Sequence, residues 1–235
     1  VGLITYMRTD STRISVEAQE DAKKIILDKY GKDFYPDTPN VYKTKKNAQD
    51  AHEAIRPSYI SITPEEAKSS LTNEQYKLYK LIWERFMASQ MTPAVFTTLS
   101  IDITANDYLF KSSGSQIKFP GFMTLYTEAT EEENQNEKDV ILPSLEEKQQ
   151  LSEKELLPSQ HFTEPPARYS EASLVKALEE KGIGRPSTYA PTITTIITRG
   201  YIEKEKKILY PTELGTIVEH LLEENFKDIM DVTFT

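Results

Sequence analysis

Residues 165–202 read PPARYSEASLVKALEEKGIGRPSTYAPTITTIITRGYI, and the punctuation of this stretch sets the architecture around it. Ser170 is placed to cap a helix that carries Leu174, Val175 and Leu178 on one face and stops at Gly182. Ser187 is placed to cap a second, which carries Ile193, Ile196 and Ile197 and closes at Gly200. Tyr201-Ile202 and Ile208-Leu209-Tyr210 then flank the charged run from Glu203 to Lys207, which predicts a hairpin. Helix, turn, helix, hairpin is a winged-helix order, a pattern that serves DNA binding and plain scaffolding alike. The second helix opens with Arg185-Pro186-Ser187-Thr188-Tyr189, where backbone N–H groups and the helix dipole favour an anion. Arginine, two hydroxyls and an aromatic suit a phosphate and a stacked base, while capping by Ser187 accounts for the same residues structurally.

Upstream, the hydrophobic period changes. In residues 93–165, Leu99, Ile101 and Ile103 alternate with Ser100, Asp102 and Thr104, the signature of a half-buried strand. Asn106-Asp107 and Ser112-Ser113-Gly114-Ser115 read as turns between further strands, so a small antiparallel sheet ending at Pro165-Pro166 is expected. Residues 1–92 read as a short strand followed by helices. Ser15 caps a stripe of Ala18, Ala22, Ile25 and Ile26 that stops at Gly31. Thr63-Pro64-Glu65-Glu66 and Thr72-Asn73-Glu74-Gln75 both have capping-box spacing. Tyr76, Tyr79, Ile82, Trp83 and Phe86 follow at helical spacing and read as core. The expected class is α+β in three parts: residues 1–92, 93–165 and 166–235.

The chain of 235 residues has no cysteine, which excludes disulfides, thiolate nucleophiles and Cys-ligated zinc. His52, His161 and His220 are too dispersed for a histidine metal cluster, and no metal ligands are assigned. No apolar run approaches the ~18 residues of a membrane span, and no signal-peptide pattern opens the chain. The first residues read as a strand already under way, which suggests an excised fragment. Net charge is −9, from 28 bases and 37 acids, an unpromising balance for a nucleic-acid protein. The distribution changes that reading. Residues 128–155 hold ten acids against three lysines, as in a solvated acidic loop, whereas residues 176–207 hold seven bases against four acids. Phosphate binding depends on the local field, not on the average.

The chemistry concentrates at Leu3-Ile4-Thr5-Tyr6-Met7-Arg8-Thr9-Asp10-Ser11-Thr12. In an extended segment Tyr6 and Arg8 share a face, about 6.5–7 Å apart, with Leu3, Thr5 and Met7 on the other. A tyrosine oxygen can attack phosphorus and hold a broken strand as an ester. A phenol is ionised in only about one molecule in a thousand at pH 7, so such a nucleophile needs nearby positive charge or a base. An arginine fork aligns a phosphodiester and stabilises charge on its non-bridging oxygens. Asp10 is placed to orient that fork or to cap the following turn. A second stretch, Gln49-Asp50-Ala51-His52-Glu53-Ala54-Ile55-Arg56-Pro57, packs a histidine, an acid and an arginine ahead of a proline. Each pairing also has a plain structural explanation: a stacked surface pair for tyrosine and arginine, a satisfied structural group for the histidine.

Taken together, ITYMRTDST around Tyr6, QDAHEAIRPS around His52 and the stretch from Pro165 to Ile202 resemble the bacterial DNA topoisomerase I family of the type IA class. The three motifs occur in that family's order and span essentially the whole chain. Met7 favours this group over the topoisomerase III group, which usually has proline there. The resemblance implies that Tyr6 is a nucleophile forming a 5′-phosphotyrosyl link to single-stranded DNA. It implies that Arg8 holds the cleaved phosphate and that His52 assists phosphate binding or proton traffic. Asp10, Arg185 and Thr188 would contact DNA, with Arg168 and Arg199 as auxiliaries. Residues 1–92 would then be a helical gate domain, 93–165 an antiparallel β hinge, and 166–235 part of a winged-helix-like domain, all within a toroidal core. Strand cleavage, passage and resealing would relax negative supercoils without ATP, in the bacterial cytoplasm at the nucleoid.

Departures from the family carry expectations too. The Toprim domain, whose acids bind Mg²⁺ in the complete enzyme, does not precede Tyr6, and the acids of 128–155 lack the strand context to replace it. The family's C-terminal tail is likewise expected to lie outside this stretch. The partners implied are single-stranded or underwound DNA and that Toprim domain, with no membrane, and the fragment alone is expected not to relax DNA. A non-enzymatic winged-helix DNA-binding module is the alternative. It expects a basic recognition helix, whereas residues 188–199 are rich in threonine and isoleucine. A tyrosine recombinase also pairs tyrosine with arginine and histidine, but its nucleophile lies near the C-terminal end.

Overall fold

A computed structural model describes residues 2–9, 11–42, 52–127, 142–143 and 145–234. Asp10, the Gln49-Asp50-Ala51 triplet and the acids from Glu128 to Asp139 lie outside the described residues. Described helices and two two-stranded antiparallel sheets make the chain α+β, and it divides into two compact units, residues 1–152 and 153–235.

The first unit is organised by two amphipathic helices. Helix α1 (Val16–Lys29) starts at Ser15, whose hydroxyl accepts the Ala18 N–H, and buries Ala18, Ala22 and Ile26. Helix α2 (Pro64–Ala67) is one capped turn, with Thr63 and Glu66 bonding each other's backbone N–H groups. Helix α3 (Asn73–Ser89) carries the same reciprocal cap from Thr72 and Gln75 and buries Tyr79, Trp83, Phe86, Met87 and Ala88. The aromatic stripe expected to be core is core, except that Tyr76 and Ile82 are only half-buried. Burying a side chain of this size contributes about 1.5–3 kcal/mol, so α1 and α3 hold most of this unit's cohesion. Two polar tips on α3 are used as anchors. The Trp83 indole N–H donates to the Ile60 carbonyl at 3.1 Å, and the Tyr79 hydroxyl donates to the Ile62 carbonyl at 2.8 Å. These bonds fix the chain that descends from His52.

Beyond α3, β1 (Val95–Ala105) and β2 (Tyr108–Phe119) form one long hairpin. Asn106 sits at φ 52° in the turn, as the Asn-Asp pair predicts. The second expected turn is absent: Ser112 to Ser115 continue β2, with Gly114 opposite Leu99 and Ser113 opposite Ser100. Small polar residues tolerate turns without imposing them, and here pairing with β1 prevails. Ile101 and Ile103 are half-buried as the alternation requires, but Leu99 is exposed.

In the second unit, α4 (Glu171–Glu180) begins at Ser170, and α5 (Pro186–Thr198) is followed by Gly200 at φ 72°. The N-cap of α5 is Arg185 and not Ser187. Pro186 occupies the first helical position with its preset φ, which moves Ser187 inside the first turn. The Thr188 hydroxyl then reaches back to accept the Arg185 N–H at 2.9 Å. Strands β3 (Ile202–Glu205) and β4 (Ile208–Pro211) form the expected hairpin, turning at Lys206 with φ 57°. Helix α6 (Glu213–Asn225) starts at Thr212 and passes so near Tyr201 that a Cβ on Gly215 would lie 2.0 Å from the Tyr201 carbonyl oxygen. Only glycine fits that approach. A short α7 (Lys227–Met230) ends the unit, and no described helix is long and apolar enough to cross a membrane.

Candidate active site

The segment before α1 and the segment from His52 to Ser58 run antiparallel. Ile4 bridges Pro57, the Ser58 N–H donates to the Leu3 carbonyl at 2.9 Å, and the Thr5 N–H donates to the Arg56 carbonyl at 2.9 Å. The opening strand expected from the sequence is reduced to this single bridge, for a local reason. Pro57 has no N–H to extend a ladder. Side chains take over from it: the Thr5 hydroxyl donates to the Ala54 carbonyl at 2.8 Å and accepts the Arg56 N–H at 3.0 Å. Further along, the Ser11 hydroxyl donates to the His52 carbonyl at 2.6 Å and accepts the Arg13 N–H at 3.3 Å. The Arg13 carbonyl in turn accepts the Ala54 N–H at 2.8 Å. Glu53 and Arg56 close the His52 side, with one carboxylate oxygen 2.6 and 3.1 Å from two guanidinium nitrogens. Arg56 also donates to the Pro57 carbonyl.

This stitching brings Tyr6, Arg8 and His52 together. The Tyr6 and His52 rings are 6.2 Å apart between centroids and tilted by 40°. Arg8 Nη1 lies 3.4 and 3.5 Å from the two His52 ring nitrogens, at the long end of hydrogen-bond range. Guanidinium can only donate, so the contact requires an imidazole nitrogen offering a lone pair. Tyr6 is 74 % exposed, whereas Arg8 and His52 are half-buried. An accessible hydroxyl thus stands beside a cation whose position is set by an imidazole, and that imidazole is held through its own backbone by Ser11. The arrangement suits attack by the phenolic oxygen on an anionic phosphoester.

The basic residues of the second unit are not gathered in one place. Arg185 and Thr188 open α5, and the Arg185 guanidinium donates to the Gly184 carbonyl at 2.6 Å. Arg199 caps the other end of α5, about 20 Å away at ~1.5 Å rise per residue. Arg168 lies over the Tyr210 ring, 5.0 Å from its centroid. Two of the exposed hydroxyls on α5 point back into the helix, Thr195 to the Pro191 carbonyl and Thr198 to the Thr194 carbonyl. That leaves little on this helix for reading base edges. Among the described residues no three His, Asp or Glu side chains come together as a cation site. Sequence alone assigns no role to Thr5 or Ser11, and it shows the acid and arginine of the His52 stretch without showing that Glu53 and Arg56 bond each other. The signal for Thr5 and Ser11 was present as hydroxyls on either side of the Tyr6–Arg8 pair, but a hydroxyl in sequence does not name its partner.

The family model described as DNA topoisomerase matches residues 1–235. The chain is similar to the full-length topoisomerase I of Thermotoga maritima, with 35 % sequence identity and a TM-score of 0.76. That match covers 100 % of this chain and 37 % of the Thermotoga chain.

Proposed function

We propose, from the premise that this chain belongs to the DNA topoisomerase family as a bacterial type IA member, that Tyr6 is the residue its enzyme esterifies to DNA. The Tyr6 oxygen attacks a phosphodiester phosphorus. The new O–P bond forms as the P–O3′ bond breaks, leaving a 3′ hydroxyl on one strand end and a 5′-phosphotyrosyl ester on the other. The phenolic proton passes to water, since the His52 lone pair is taken by Arg8, and the departing O3′ takes a proton from water in turn. Arg8 neutralises the non-bridging oxygens, and His52 holds the guanidinium where that charge develops. The reverse attack by the 3′ hydroxyl reseals the strand. Because the ester conserves the bond energy, relaxation of negative supercoils needs no ATP.

The single observation behind this reading is the convergence of Tyr6, Arg8 and His52 on two antiparallel segments. In the same reading residues 1–92 form the gate domain, 93–165 the hinge and 166–235 a winged-helix-like domain. Arg168, Arg185, Thr188 and Arg199 contact single-stranded or underwound DNA through its backbone. The test is to mix the full-length protein with end-labelled single-stranded DNA, denature it, and map the adduct. A covalent adduct at Tyr6 that disappears in Tyr6→Phe is expected. An adduct on another residue, or normal relaxation by Tyr6→Phe, would overturn the assignment.

A further inference from the structure

Glu53 follows His52 in the chain, and its carboxylate reaches three residues on to the Arg56 guanidinium. One carboxylate oxygen accepts from both Nη2 and Nε, at 2.6 and 3.1 Å. Exposed pairs of this kind constrain little, because water screens them and the long side chains stay mobile. This pair is largely withdrawn from water, with side-chain exposures of 23 % for Glu53 and 13 % for Arg56. The guanidinium is held a third time, by donating from Nη1 to the Pro57 carbonyl at 2.9 Å. All three nitrogens of one planar group are thus committed in fixed directions. The core that joins α1 to α3 is made of other residues, so the constraint acts on this loop.

The two ends of that loop serve different partners. At one end the His52 ring lies against Arg8 Nη1. At the other, Arg56 bonds Thr5 twice: its N–H donates to the Thr5 hydroxyl at 3.0 Å, and its carbonyl accepts the Thr5 N–H at 2.9 Å. Thr5 immediately precedes Tyr6. From His52 to Arg56 the chain is neither helix nor strand, so no regular ladder sets how far apart the two ends stand. The ion pair supplies that measure. We propose that Glu53 is a positioning residue for strand cleavage, which through Arg56 fixes the separation of the Arg8 cation from the Tyr6 oxygen. This proposal rests on the phosphotyrosyl reading and adds a residue to it. Without the carboxylate, the Arg56 side chain is released from the loop. The end that carries His52 then shifts against the end that carries Thr5, and Arg8 moves away from the position where charge develops.

The test is single-turnover cleavage of end-labelled single-stranded DNA by the full-length protein, well below the melting temperature of each variant. A range of protein concentrations separates the saturated rate from the half-saturating concentration. Glu53→Gln keeps the size of the side chain and removes its charge. It is expected to lower the saturated rate about 10- to 100-fold, the cost of misplacing a group by up to about 1 Å. The half-saturating concentration is expected to change by less than about threefold. In an Arg8→Ala background the same substitution is expected to cost less than about twofold, because no cation remains to be displaced. Arg56→Lys keeps the charge and loses the fork; it is expected to repeat the pattern, and it decides if Glu53→Gln does not fold. A saturated rate within about twofold of the unaltered protein overturns the proposal even where Tm falls, since the pair is then structural alone. An equal cost with and without Arg8 overturns it too, as does a loss confined to the half-saturating concentration. Each of those results leaves the phosphotyrosyl reading standing as long as the unaltered protein forms its adduct at Tyr6. Absence of that adduct defeats both.

Discussion

Ser11→Ala removes one oxygen from a side chain that is only 6 % exposed. That oxygen donates to the His52 carbonyl and accepts the Arg13 N–H, so two backbone groups lose a partner at once. A net hydrogen bond contributes about 0.5–1.5 kcal/mol, and a buried group left unsatisfied costs about 1–3 kcal/mol. A destabilisation of about 1–3 kcal/mol follows, which for a chain of this size lowers Tm by about 2–12 °C. The more telling effect is on rate. His52 is freed to shift, Arg8 follows it, and misplacement by about 1 Å costs up to 100-fold in a positioned reaction. Single-turnover cleavage of a labelled oligonucleotide by the full-length protein measures this, well below the melting temperature of the variant. The decisive comparison is a cycle with His52→Ala. If Ser11 acts by placing His52, its removal costs little rate once the imidazole is gone. An equal cost in both backgrounds, or a rate within twofold of the unaltered protein despite the expected drop in Tm, would refute the reasoning.

Burial first, and the carboxylate of Glu66 second, pushes the Tyr79 phenol above its ordinary range. The folded protein therefore holds that proton more tightly than the unfolded chain, and the stabilisation is complete below the unfolded value and lost as pH rises through the folded one. Thermal melts from about pH 8 to 11 should show an alkaline decline that is shallower in Tyr79→Phe, at the expense of the bond to Ile62 at all pH values. Arg8→Lys keeps the charge but not the planar fork, and cleavage by the full-length protein is expected to fall at least tenfold while Tm changes little. Arg185→Ala should weaken single-stranded DNA binding across sequences and reduce the salt slope by about one, read by titration at several salt concentrations. The 235-residue chain alone is expected not to relax supercoiled plasmid, since it covers 37 % of the Thermotoga chain it resembles; robust relaxation by the purified chain refutes that.

Caps and stripes were legible in the sequence because their physics is local. Ser15, Thr63 and Thr72 each precede a helix by their own hydrogen-bonding reach, and Trp83 and Phe86 recur at the period that buries them. The expected pairing of Tyr6 with Arg8 rests on the same kind of local argument, alternation in an extended segment. What sequence could not supply was the 44-residue closure that brings His52 to Arg8. Nothing near His52 in the chain says which side chain it faces. The Ser112–Ser115 error has the opposite origin: a local turn signal was present, but eleven residues of β1 offered it partners. Ser187 was displaced from the cap by Pro186, whose fixed φ starts the helix two residues earlier than hydroxyl chemistry alone suggests.

On the phosphotyrosyl reading proposed above, Tyr6 needs two properties that oppose each other, exposure to a polymer substrate and a fixed position relative to Arg8. A nucleophile buried for rigidity would be closed to DNA, and one on a free loop would lose its alignment. The protein separates the two requirements along a chain of bonds. Trp83 and Tyr79, buried on α3, hold the carbonyls of Ile60 and Ile62; from there the backbone runs back through Ser58 and Pro57, which bond and bridge Leu3 and Ile4, both packed on the same core. Thr5 then locks to Ala54 and Arg56, one residue before the nucleophile. Rigidity is thus supplied by the α1–α3 core and delivered up to residue 5, while the side chain of residue 6 emerges into solvent. The cation is placed from the other side, by Ser11 through His52. Tyrosine and arginine are therefore anchored at different points on the same two segments, and removal of each anchor is expected to leave its own kinetic signature.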